Sequence, residues 1–167
     1  MEYALKRQQA QDLPALYCSM ISDGMAQNHC ELPWYANLKS ADRKLPQHLQ
    51  GVLNHGRNFT VYRTFHNVRG GGNLAIHTLL CSLEKMLNEA AQGSSIPETL
   101  YLQIDGGSEN SNKTILGLCE SLVARRLVKK VVLTRLPTGH SHEDIDVVFA
   151  KIWTLIRKQP VLSPQQY

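Results

Sequence analysis

The run TLYLQI at residues 99–104 is apolar almost throughout, and segments of helical periodicity stand on both sides of it. A strand of that kind is buried on both faces, so it belongs inside a sheet that helices cover above and below. Upstream, Asn73 is placed to cap a helix whose apolar positions Leu74, Ile76, Leu79, Leu80, Leu83, Met86 and Leu87 recur at helical spacing until about Gly93. Downstream, a glycine- and amide-rich break leads into a second helix through Ile115, Leu116, Leu118, Cys119, Leu122 and Val123. A strand over 129–133 and a helix over about 143–157 follow.

The first half reads differently. An apolar strand at 16–21 ends at Ser22-Asp23-Gly24, and residues 48–55 and 58–67 form a hairpin around Gly56-Arg57. In the second strand of that hairpin, Val61, Arg63 and Phe65 alternate with Tyr62, Thr64 and His66, which leaves the inward face open. The order is three strands, helix, strand, helix, strand, helix. Alternation after residue 73 implies parallel pairing through right-handed crossovers, and the hairpin adds antiparallel strands. The expected class is α/β, a mixed five-stranded sheet flanked by helices.

The chain has 167 residues, of which 43% are apolar and 19% charged, which suits one globular domain. We expect a lead-in over 1–15, a domain over 16–158 and a tail over 159–167. Residues 25–47, with Pro33 and Pro46, form a long irregular connection, and the glycines at 70–72 read as a linker, because no P-loop lysine-serine follows them. No apolar run approaches the roughly 20 residues of a membrane span, and the start MEYALKRQQAQDLP lacks the apolar core of a signal peptide. The expectation is an intracellular chain without a membrane partner. Cys18, Cys30, Cys81 and Cys119 have no CxxC spacing and read as reduced thiols, with Cys18, Cys81 and Cys119 inside apolar patterns. A net charge of +4 permits a polyanionic partner without requiring one.

The chemistry-bearing groups are carboxylates. Asp23 and Asp105 each close an apolar run and precede a glycine, and Glu143, Asp144 and Asp146 stand at the start of the last helix. Acids in a first helical turn suit the helix dipole without any further role. Strand ends that each supply one carboxylate, with a helix that supplies a third, are also the parts of a divalent-cation site. On a helical wheel the stripe of Ile145, Val148, Phe149, Ile152 and Ile156 leaves Asp144 and Asp146 on its two borders and Glu143 nearly opposite. His140 and His142 flank Ser141 in a turn, a spacing that makes a weak case for zinc and a better one for contact with phosphate or a carboxylate. Asn110, Asn112 and Lys113 begin a helix close after Asp105 and could also touch phosphate.

The segments ISDGM, LQGVLNHG, LYLQIDGGSENSNKT and above all LPTGHSHEDIDVVFAKI resemble a family of transposon-derived eukaryotic proteins. That family is marked by a DGM strand end, a DN…ENKN strand end and a GHTHEDID helix start, and it is similar to DDE transposase and integrase catalytic domains, whose fold is ribonuclease H-like. The likeness runs from about Leu16 to Ile156 and departs from the pattern at Gly106 and Ser111.

The resemblance implies Asp23 and Asp105 as the first two acids of a catalytic and metal-binding triad. Ile145-Asp146-Val147-Val148-Phe149 matches the surroundings of the third, with Asp144 and Glu143 as alternates. It implies two Mg²⁺ or Mn²⁺ ions, no small-molecule cofactor and DNA as partner, contacted by Asn110, Asn112, Lys113, His140, His142 and Lys151. It further implies cleavage and strand transfer at phosphodiesters, a nuclear setting for an active eukaryotic copy, and compatibility with a homo-oligomer. Two other readings stand beside it: a domesticated or decayed relic that binds nucleic acid or protein without catalysis, and an α/β fold using Asp105 as a phosphoryl acceptor, for which the accompanying lysine and threonine spacing is missing.

Overall fold

The computed structural model describes residues 2–34, 43–65, 67–69, 71–91, 96–104, 109–135 and 143–167. Helix α1 (Glu2–Asp12) leads into strand β1 (Tyr17–Gly24), followed by β2 (Gln47–Asn54) and β3 (Asn58–Phe65). Then come α2 (Gly72–Ala91), β4 (Thr99–Ile104), α3 (Glu109–Ala124), β5 (Lys130–Arg135) and α4 (Glu143–Ile156). The five strands form one mixed sheet in the order β3-β2-β1-β4-β5. β2 is antiparallel to both its neighbours, whereas β4 is parallel to β1 and to β5. The α/β class and the mixed five-stranded sheet expected from periodicity are present. No helix among the described residues is long and apolar enough to cross a membrane.

Alternation along the strands sorts side chains to two faces. Cys18 and Met20 of β1, with Leu100, Leu102 and Ile104 of β4, pack against Leu79 and Leu83 of α2 and Ile115 of α3. The opposite face carries Ile21 and Leu49, which α4 covers through Ile145 and Phe149. β3 has contacts on both faces: the Tyr62 hydroxyl lies 2.7 Å from Ser82 Oγ of α2, while Phe59 meets the Phe149 ring edge-on at 6.1 Å, and Val61, Arg63 and Phe65 on the Phe59 side are exposed.

The segments at the two ends of the chain belong to this packing. α1 buries Ala10 and is joined to β4 by a hydrogen bond from the Tyr101 hydroxyl to Gln9 Oε1. Residues 159–167, expected as a tail, bury Val161 with Leu32 and Ile156, pair Val161 with Trp34 in a β-bridge, and send the Tyr167 hydroxyl to the His29 carbonyl. One cysteine differs from expectation: Cys81 is half-exposed because it sits beside the apolar stripe of α2 and not within it, whereas Cys18, Cys119 and also Cys30 are buried.

Candidate functional site

Asp23 is the penultimate residue of β1 and sits opposite Gly51 of β2. Its odd number puts it on the same face as Ile21, the face α4 covers. It is half-buried, and its Oδ1 accepts the Gly24 N–H at 2.8 Å. On its other side β1 runs parallel to β4 with Ser22 paired to Ile104, so the next residue in sequence is Asp23 on one strand and Asp105 on the other. Asp105 itself lies outside the described residues, as do His140 and His142. Glu143 opens α4 and Asn110 and Asn112 fall in the first turn of α3, their side chains outside the description.

The start of α4 is built around Ile145, which is fully buried and brings that turn down onto the sheet. Its two neighbours then leave on opposite flanks, about 200° apart around the axis. Asp144 meets the β2–β3 turn and α1: Arg7 Nη1 donates to Oδ2 at 2.8 Å and to Oδ1 at 3.0 Å, and His55 Nε2 lies 3.1 Å from Oδ2. Asp146 is half-buried on the other flank. Lys151 is exposed, and two helical turns beyond Asp144 it returns to the Asp144 side. Lys113 is exposed on α3. Among the described residues, no group of three or more His, Cys, Asp or Glu side chains is placed to hold a metal ion.

Arg7, Ser19 and His55 were not picked out by the sequence. The His55 side chain is 4% exposed, with Nδ1 3.0 Å from Ser19 Oγ. Burial lowers the His55 pKa from its ordinary value, and the hydrogen bond and charge of Asp144 oppose that shift. Serine, histidine and aspartate in this sequence of contacts invite comparison with an activated nucleophile. Ser19 is only 3% exposed, in the middle of the central strand, so no substrate carbonyl can approach its hydroxyl, and the trio is structural. Local sequence offers no signal for it, because Arg7 and Asp144 are 137 residues apart.

Comparison with curated proteins and with solved structures finds no match. Residues 37–167 match a family described as a domain of unknown function, DUF7869. The matched span holds β2 through the end of the chain, with His55, Asp105, Asp144 and Asp146, and it begins after α1 and β1, which carry Arg7, Ser19 and Asp23. With most of its length matched, the chain belongs to the DUF7869 family.

Proposed function

We propose that this protein carries out metal-dependent phosphodiester chemistry on DNA, of the cleavage and strand-transfer kind performed by DDE transposases and integrases. Asp23, Asp105 and Asp146 are its acids in this reading. The observation that carries it is the parallel pairing of β1 with β4 through Ser22 and Ile104, residues that are each followed in sequence by an aspartate. Neighbouring strands lie about 4.8 Å apart, a spacing at which two carboxylates can share one cation. The sheet order β3-β2-β1-β4-β5, with β2 alone running against its neighbours, agrees with a ribonuclease H-like arrangement and supports the same reading.

The donor set suits a hard cation such as Mg²⁺ or Mn²⁺, which takes carboxylate oxygens and keeps several waters. When bound, a pair of such ions supplies activation of the attacking water or 3′-hydroxyl and charge stabilisation at the leaving oxygen. Asp144 is a poorer third acid than Asp146, because Arg7 and His55 already engage its oxygens. Asp23 keeps its orientation through the Gly24 N–H. Lys113 on α3 offers an exposed cation for phosphate, and Asn110, Asn112, His140 and His142 are further candidates for that contact.

The test is a nicking assay on supercoiled plasmid with Mn²⁺, comparing the wild-type chain with Asp23→Asn, Asp105→Asn and Asp146→Asn. Cleavage by the wild type that falls at least about a hundredfold in each variant supports the proposal. A wild-type chain that binds plasmid but leaves it intact would move the protein to the non-catalytic binding role.

A further inference from the structure

Asp144 is held from two directions. Arg7 of α1 reaches both of its oxygens through one nitrogen, and His55 reaches Oδ2 from the β2–β3 turn. His55 is itself fixed, since its backbone N–H donates to the Ser19 carbonyl at 2.9 Å and its Nδ1 contacts the Ser19 hydroxyl. One carboxylate therefore ties the first turn of α4 to α1, to the hairpin turn and to the central strand.

We propose that Arg7 and His55 are positioning residues: by holding Asp144 they set the rotation of α4 about its own axis, and with it the placement of Asp146 for the cation site. This inference rests on Asp146 being a metal ligand. Apolar contact through Ile145 and Phe149 holds α4 against the sheet. A carboxylate tip lies about 6 Å from a helix axis, so a roll of about 10° carries it about 1 Å. A preorganised site tolerates about half that. Hydrogen bonds to Asp144, on the far flank of the same turn, oppose the roll where it matters. The N-terminal helix is then part of the site's support, although it lies outside the span that matches the family.

The experiment uses the full chain with Arg7→Ala, Arg7→Lys and Asp144→Asn, and reads three quantities: amide hydrogen exchange in α4 without metal, Mn²⁺ affinity by titration, and the urea midpoint. For Arg7→Ala we expect faster exchange confined to residues 147–150, whose N–H groups bond to the first turn of α4, a Mn²⁺ affinity weakened about tenfold, and a urea midpoint near wild type. Arg7→Lys, which keeps the charge, should recover part of both losses. Exchange in α4 that stays at the wild-type rate overturns the proposal. So does faster exchange with unchanged Mn²⁺ affinity, or a loss of affinity that merely follows global stability and that lysine does not rescue. If Arg7→Ala fails to fold, Arg7→Lys and Asp144→Asn carry the same readouts. A wild-type chain that binds no Mn²⁺ overturns the metal reading and the role assigned here to Asp146, whereas exchange in α4 still reports whether Arg7 holds the helix.

Discussion

The ring of Phe149 stands 2.8 Å from where a Cβ on Gly51 would be, with Phe59 at 2.9 Å on the same point. Gly51 is therefore the recess in β2 that lets α4 lie close to the sheet, at the register position of Asp23. Gly51→Ala forces both rings outward and should destabilise the fold by about 2 kcal/mol, measured by urea denaturation. A variant as stable as wild type would show that α4 is not seated by this contact.

Gln47 is fully buried at the start of β2, and among the described residues neither atom of its side-chain amide has a partner. A buried polar group left unpaired costs about 1–3 kcal/mol. Gln47→Met keeps the volume and removes that cost, so the urea midpoint should rise. A lower midpoint would mean that a bound water or another group satisfies the amide.

The thiols should separate by reactivity. Burial pushes the Cys18 thiol up to about 12, and raises those of Cys30 and Cys119. Cys81 is half-exposed, with its sulfur 3.7 Å from His77 Nε2. A disulfide reagent at neutral pH should modify one thiol quickly in the folded chain, and mass mapping should place it at Cys81. Fast labelling of Cys18 would contradict the packing of β1 against α2.

Acid should weaken the fold through His55. Its folded pKa lies below the free value of 6.5, so the unfolded chain takes up the proton more readily. The stability that the neutral ring contributes is complete above pH 6.5 and is lost as pH falls through the folded value. His29, lowered by burial and by Arg157, acts in the same direction. Unfolding free energy should fall from pH 6.5 towards 5, with a shallower slope in His55→Gln; an unchanged slope would place the titrating group elsewhere.

Much of the architecture was legible because periodicity reports burial. The strand over 99–104 has the bounds read from its apolar run, and the helix starting at Glu143 begins where the turn residues end. β1 continues to Gly24, past the polar residues Ser22 and Asp23 that mark the end of its apolar pattern, since pairing with β2 extends it. The inward face of β3 could not be read, because Tyr62 and Phe59 pack on opposite faces while the apolar Val61 and Phe65 are exposed.

At the proposed site, the helical wheel left Asp144 and Asp146 on the borders of one stripe, and the resemblance favoured Asp146. Asp144 and Asp146 differ in what packs beside them, and that depends on Arg7 and His55, which are remote in sequence. The expected set at Asp105, His140 and His142 lies outside the described residues, so those positions rest on the sequence alone.

The most direct test is Mn²⁺ binding to the purified chain, titrated for wild type, Asp23→Asn, Asp105→Asn and Asp146→Asn, with the Asp12→Asn variant of α1 as reference. The account predicts saturable binding by wild type and Asp12→Asn, and loss of at least one bound ion in each of the other three. Binding by all three at the wild-type level, or none by wild type, would contradict it.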